Sequence, residues 1–144
     1  VCWLFAISAT ATYRTVALSY EYVGTLTDSI LNQVMADPDY TADNRLLMAG
    51  LPDETRVQDA NALYWYSQYQ RSPLFWGGTH GILDCWPTYL YDYHGFNAGG
   101  VTLAEYENIV SSAEFAAMPV YPQAGSITYF GDVLVVKLEE NPPQ

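Results

Sequence analysis

The stretch that decides the fold is Ile127-Thr128-Tyr129-Phe130-Gly131-Asp132-Val133-Leu134-Val135-Val136-Lys137-Leu138. Two runs typical of β-strands, residues 127–130 and 133–138, are separated only by Gly131-Asp132. Glycine in the first position of a two-residue loop favours a type II′ hairpin. The second run is apolar on both faces, so we expect it to be the central strand of a sheet.

Upstream of the hairpin, the longest periodic segment predicts a helix over residues 16–35. Apolar side chains recur there at helical spacing, at Val16, Tyr20, Val23, Ile30 and Val34. Pro38 stops this helix because proline cannot continue it. If residues 1–12 are helical as well, the two segments form one long rod. The short apolar run over residues 45–50 then predicts a buried strand.

Further helices are predicted between the two strand regions. Asp53 is expected to cap the first of them. Asp84, with Pro87 in the first turn and Gly95 at the end, predicts a second over residues 85–94. Thr102-Leu103-Ala104-Glu105 is a capping box, which starts a third helix over residues 103–112. A short turn is expected over residues 112–117.

This order of elements predicts an α+β fold. We expect a small mixed sheet of about three strands with a C-terminal β-hairpin, covered by four or so helices. The sequence contains no internal repeat and no low-complexity linker, so residues 1–144 are expected to form a single domain. Residues 139–144 are predicted to be a polar tail.

The composition is strongly acidic. The 144 residues carry a formal net charge of −11 and only five Lys and Arg. Nucleic acids and anionic membrane surfaces are both bound through clustered Lys and Arg, so the charge excludes nucleic acid and disfavours an anionic surface. Solubility is the simpler explanation of the acidity. The functional explanation is a neutral or cationic partner, such as a sugar or a cell-envelope component.

The N-terminal segment is apolar and uncharged until Arg14. It is too short to cross a bilayer alone, since a span needs about 20 apolar residues. It lacks the basic region of a signal peptide. Residues 1–14 are therefore interpreted either as the end of a transmembrane helix, with Trp3 and Tyr13 as interfacial aromatics, or as a buried first helix.

The most unusual feature is an aromatic tract over residues 64–96. Aromatic rings stack on sugar faces, and a neighbouring carboxylate can bind sugar hydroxyls. The tract therefore predicts a glycan- or partner-binding surface made by Trp65, Trp76, Trp86, Tyr89, Tyr91, Asp92 and Tyr93. The competing interpretation is that most of these rings fill the core. Tyr91 and Tyr93 cannot both share a helix face with Tyr89, so at least one of them is expected to be exposed.

No motif in the sequence selects a catalytic centre. There is no nucleotide-binding glycine motif, no P-loop and no GxSxG elbow. His80, Asp84 and His94 could form a two-His, one-carboxylate metal set, but incidental neighbours are the favoured interpretation. No spacing selects a carboxylate pair for glycoside hydrolysis. We predict no metal, no cofactor and no catalytic residue. Cys2 and Cys85 allow either one disulfide or two buried thiols.

Several segments resemble the C-terminal region of GtrII-type membrane glucosyltransferases. The helix after the last transmembrane span of that family is similar to Ala17-Leu18-Ser19-Tyr20-Glu21-Tyr22 and to Ser29-Ile30-Leu31-Asn32-Gln33-Val34. The next strand resembles Leu46-Leu47-Met48-Ala49-Gly50, with Pro52 after it. The family's C-terminus resembles Met118-Pro119-Val120-Tyr121-Pro122-Gln123-Ala124-Gly125-Ser126-Ile127 and Gly131-Asp132-Val133-Leu134-Val135-Val136-Lys137-Leu138. The match is collinear over most of the chain and weakest in the aromatic tract.

The resemblance implies a bacterial membrane glycosyltransferase of the GT-C kind, which transfers glucose from a polyprenyl-phosphate carrier to a cell-surface polysaccharide. This chain would be its extracytoplasmic C-terminal accessory domain, with the membrane-embedded remainder of the polypeptide and cell-surface glycan as partners. Catalytic acids of such enzymes lie in earlier external loops, so none is assigned here. The alternatives are a free-standing extracellular glycan- or protein-binding module, and a small hydrolase with a metal or carboxylate pair.

Overall fold

The computed structural model describes residues 2–52 and 78–142. The helix expected after Asp53 lies outside these ranges. The elements within them are, in chain order, α1 (Cys2–Ala36), β1 (Arg45–Ala49), α2 (Gly78–His94), α3 (Leu103–Val110), α4 (Ala113–Ala117), β2 (Ile127–Phe130) and β3 (Val133–Lys137). Helices over a three-stranded mixed sheet confirm the predicted α+β fold.

The sheet has β3 at its centre, between β1 and β2. β3 runs parallel to β1, with Leu134 opposite Leu46, and antiparallel to β2, with Val133 opposite Phe130. Every residue of β3 is buried, as expected for a central strand that is apolar on both faces. Gly131 has a φ of 66°, the positive value that the first position of a type II′ loop needs. The predicted hairpin and central strand are confirmed.

α1 is one continuous helix of 35 residues, about 52 Å long at 1.5 Å per residue. The predicted long rod is therefore confirmed. Val23, Thr27, Ile30 and Val34 are at most 1% exposed and form the stripe that packs into the core. The buried Thr27 hydroxyl donates to the Val23 carbonyl oxygen at 2.7 Å, so its burial leaves no unpaired donor.

The first half of α1 extends away from the core at those positions whose side chains are described. Ala9, Thr10, Tyr13 and Ala17 are exposed, and Tyr13 is 76% exposed. The two interpretations of residues 1–14 stay predictions. Among residues 2–52 and 78–142, no helix combines the length and the apolar character needed to cross a membrane.

The predicted start of α2 is wrong. The helix begins at Gly78 rather than at Cys85, so Asp84 is an exposed mid-helix residue and Pro87 lies inside the helix. Proline removes one backbone donor, but Ile82, Trp86 and Leu90 recur at helical spacing and each is 1% exposed. The stabilisation from burying these three side chains outweighs the local preference for a helix start at Asp84. The predicted end is confirmed, since the Gly95 N–H donates to the Tyr91 carbonyl at 3.0 Å.

α3 begins at the predicted capping box. The Glu105 N–H donates to Thr102 Oγ1 at 3.3 Å, and the Thr102 N–H donates to Glu105 Oε2 at 2.8 Å. α2 packs beside β1 and α3, and α3 packs beside α4. The largest side chains in this core are Trp86, Tyr106 and Phe115. The connection from α4 to β2 then passes over α1, where the Tyr121 hydroxyl is hydrogen-bonded to Ser29 and Gln33 of that helix.

Candidate functional site

The structure divides the predicted aromatic surface into core and surface residues. Trp86 is 1% exposed, and its Nε1 donates to the Gly50 carbonyl oxygen at 3.1 Å. Trp86 is therefore a core residue rather than part of a binding surface, because its ring and its only polar atom are both occupied inside the fold. Trp65 and Trp76 lie outside the described residues.

Tyr91, Asp92 and Tyr93 are exposed on the last turns of α2, where Tyr91 is 65% and Tyr93 66% exposed. Successive residues of a helix are rotated by about 100°, so these three side chains leave the helix in different directions. The rings of Tyr89 and Tyr93 stack with centroids 4.9 Å apart, as expected for positions i and i+4. Tyr91 stands apart from this pair. Tyr89 itself is only 8% exposed and belongs to the core, which corrects its predicted place on the surface, whereas Tyr91 and Tyr93 are accessible.

A residue that sequence reasoning did not select completes this region. Asp28 of α1 has its Oδ1 3.2 Å from Nδ1 of His94, the last residue of α2. The His94 ring also lies 5.4 Å from the Tyr89 ring. A Cβ added to Gly24 of α1 would lie 3.9 Å from the Tyr89 hydroxyl, which shows how closely the two helices approach there. We call Asp28, Tyr89, Tyr93 and His94 the Tyr–His cluster.

The polar atoms of the Tyr–His cluster are unevenly satisfied. Asp28 is 67% exposed, whereas the His94 side chain is 14% exposed. His94 Nε2 is buried and has no hydrogen-bond partner within the described part of the chain. Most buried polar atoms in proteins are paired, so an orphaned imidazole nitrogen is uncommon. The cluster therefore combines one exposed tyrosine ring, an accessible carboxylate and an imidazole whose Nε2 has no hydrogen-bond partner among the described residues.

The exposed groups of this arrangement suit recognition of a sugar or a cation. A tyrosine ring accepts the apolar face of a sugar or a cationic group, and a carboxylate beside it binds hydroxyls or a positive charge. The only signals that could have pointed to Asp28 were its acidity and its place beside the buried stripe of α1.

The sequence-based metal set does not assemble among the residues that can be described. No group of three or more His, Cys, Asp or Glu side chains converges in residues 2–52 and 78–142. His94 pairs with Asp28, while Asp84 is exposed elsewhere on α2. The side chain of His80 lies outside the described part. Cys85 carries a free, half-buried thiol.

Comparison with known proteins identifies no relative. No protein-family model, no curated protein and no solved structure matches the chain. The resemblance to GtrII-type enzymes stays a prediction that depends on the segments quoted above.

Proposed function

We propose that this chain is the extracytoplasmic C-terminal accessory domain of a membrane glycosyltransferase, one that transfers glucose from a polyprenyl-phosphate carrier to a cell-surface polysaccharide. The observation that carries the proposal is the continuity of α1. It joins the apolar N-terminal segment to the core stripe at Val23, Thr27, Ile30 and Val34 without a break. Two of the segments that resemble the family lie on this helix.

The dimensions of α1 fit a rigid connection between a membrane part and an external domain. Val23 is the first buried residue of α1 among those whose side chains are described, and the helical residues before it span about 30 Å at 1.5 Å per residue. The chain carries a net charge of −11, which an anionic bilayer surface repels. A stiff helix of this length holds an acidic domain beyond the Debye length of about 8 Å at physiological salt.

A topology experiment on the whole parent polypeptide tests this proposal. Its upstream sequence is expected to contain roughly eight or more apolar spans on the 20-residue criterion. Ala124 is exposed, so Ala124→Cys in the parent protein should react with a membrane-impermeant maleimide added to intact cells. Val135 is 0% exposed, so Val135→Cys is the matched control and should react only after denaturation. Labelling of the unsubstituted parent measures the contribution of Cys2 and Cys85.

Two results would contradict the membrane-enzyme proposal. One is an upstream region without apolar spans. The other is labelling of Ala124→Cys only after the membrane is permeabilised, which would place this domain on the cytoplasmic side. The first of these results would leave the second candidate function in its place.

The second candidate is a glycan- or protein-binding module, and the stacked Tyr89–Tyr93 pair favours it. Tyr93 is 66% exposed and Asp28 is 67% exposed, so a ring face and a carboxylate are accessible at one place. Tyr93→Ala is expected to weaken binding of surface-polysaccharide fragments roughly threefold to tenfold. Tyr91→Ala is the matched control, because Tyr91 is equally exposed on the same helix but outside the pair. Equal losses in both variants would argue against the pair as the binding face.

A further inference from the structure

A concave pocket of about 270 Å³ lies on the other flank of α1, between this helix and the connection that leads to β2. Thr25 and Ser29 of α1 line the pocket together with Tyr121 and Pro122 of the connection. Helical rotation of about 100° per residue places Ser29 across the core stripe from Gly24 and Asp28. This Tyr121 pocket is therefore separate from the Tyr–His cluster.

A chain of hydrogen bonds holds the polar wall of the Tyr121 pocket. Gln33 Nε2 donates to the Tyr121 hydroxyl at 2.9 Å, and the same hydroxyl lies 2.8 Å from Ser29 Oγ. The Ser29 and Tyr121 hydroxyls carry one proton each, and the bond between them uses one of the two. No other acceptor for the second proton is found among the described residues, so that proton can be donated to an acceptor in the pocket, whichever group donates within the pair.

An acceptor stands close to this donor. Thr25 Oγ1 donates its proton to the Glu21 carbonyl oxygen at 2.9 Å, so its lone pairs are left to accept. The pocket therefore offers both a hydroxyl donor and a hydroxyl acceptor. A ligand hydroxyl also donates and accepts, which makes it the natural complement of this wall.

The remaining walls are apolar and uncharged. Leu26 and Pro122 contribute to them, and no Asp, Glu, Lys or Arg is among the described residues that line the pocket. A charged ligand would lose hydration there without gaining an ion pair, which is costly. The volume lies just below the range of about 300 to 1,000 Å³ typical of pockets for larger ligands. A neutral ligand of about one ring in size fits these limits.

We propose that the Tyr121 pocket binds one neutral monosaccharide unit, with sugar hydroxyls contacting Ser29, Tyr121 and Thr25 and the apolar ring face against Leu26 and Pro122. The proposal depends neither on a membrane-embedded parent nor on the Tyr–His cluster. Its chemistry excludes uronic acids and amino sugars with a free amine, since neither charge has a partner among the described lining residues.

The test is NMR titration of the isotopically labelled chain with methyl glucoside, and with methyl glucuronoside as the charged probe. Methyl glucoside should shift the amide signals of Ser29, Tyr121 and Thr25. The charged methyl glycoside of glucuronic acid should leave these signals unchanged. Tyr121→Phe removes the hydroxyl but keeps the ring, and it should weaken binding about tenfold. Tyr91→Phe is the matched control and should bind as the wild type does.

Ser29→Ala provides an independent test if Tyr121→Phe fails to fold, because Ser29 is exposed and its loss leaves the core intact. It too should weaken binding of methyl glucoside. Three outcomes would overturn the proposal: no shifts at the pocket residues up to the solubility limit of the sugar, equal binding of the uronoside, or equal loss of affinity in Tyr91→Phe. None of these outcomes bears on the membrane topology test.

Discussion

The guanidinium of Arg45 and the carboxylate of Glu105 are joined by two parallel hydrogen bonds, from Nη2 to Oε1 at 2.8 Å and from Nη1 to Oε2 at 3.2 Å. The Nε of Arg45 also donates to Asp132 at 2.8 Å. Arg45 thus ties the start of β1 to the first turn of α3 and to the hairpin loop. The bonds from Arg45, followed by those from Thr102, lower the pKa of Glu105 to about 2.

The first prediction is that Glu105 makes stability depend on acid pH. Its folded-state pKa of about 2 lies below the ordinary value of 4.5, so the unfolded chain binds this proton more tightly. The stabilisation is complete above about pH 4.5 and is lost as the pH falls towards 2. Glu105→Gln should therefore be less stable than the wild type at neutral pH, and the difference should shrink over this window. Urea unfolding at a series of pH values measures it.

Glu107→Gln is the control for this experiment, because Glu107 is an exposed acid on the same helix with no bond to Arg45. It should change stability little at any pH. The contrary result is that the free energies of unfolding of Glu105→Gln and the wild type differ by the same amount down to about pH 2. That result would show that the pairing with Arg45 does not cause the difference.

The second prediction concerns Gly50, the residue that follows β1. A Cβ added there would lie 2.5 Å from the Cβ of Glu139 and 3.0 Å from its backbone nitrogen, and φ is 105°. Gly50→Ala should therefore destabilise the fold by roughly 2 kcal/mol or more. Gly100→Ala meets no atom within 4 Å and should change stability by less than about 0.5 kcal/mol. Thermal unfolding compares the two, and similar values would contradict the close approach of Gly50 to Glu139.

The third prediction concerns Lys137, a fully buried cation at the end of β3. Its Nζ donates to the carbonyl oxygens of Phe115 at 3.2 Å and Met118 at 2.9 Å, at the end of α4. Lys137→Met keeps most of the apolar stem but leaves both carbonyls without this donor, and should cost about 1–3 kcal/mol. Lys137→Ala adds a cavity and should cost more, about 2–5 kcal/mol. Denaturant unfolding measures both.

A Lys137→Met variant as stable as the wild type would overturn the third prediction. It would mean that the free-energy cost of burying the ammonium equals the stabilisation from its contacts. Those contacts are with the two carbonyls and with the Phe115 ring, whose centroid is 5.0 Å away.

The fourth prediction separates core from surface within α2. Trp86→Ala should destabilise the fold by about 3–5 kcal/mol, because it leaves a large cavity and removes the bond to Gly50. Tyr91→Ala should change stability by less than about 0.5 kcal/mol, since the ring is 65% exposed. Calorimetry of the two variants checks this. Comparable losses would mean that Tyr91 is packed rather than accessible.

Local patterns predicted much of this fold. The capping box at Thr102, the hairpin loop at Gly131 and the long helix before Pro38 all depend on interactions between near neighbours in the chain. The start of α2 was missed because Asp84 and Pro87 resemble a helix start, whereas the burial of Trp86 decided the outcome. The same burial removed Trp86 from the predicted binding surface.

The sequence by itself determined the α+β class, the central strand, the hairpin and the exposure of tyrosines near His94. Only the tertiary structure decided that His94 meets Asp28 and that Tyr121 meets Ser29, 92 positions away. Hydrogen bonds within helices and hairpins join residues close in sequence, so residue order predicts them. Contacts between elements depend instead on how each helix is rotated about its axis, and the packing of the whole core sets that rotation.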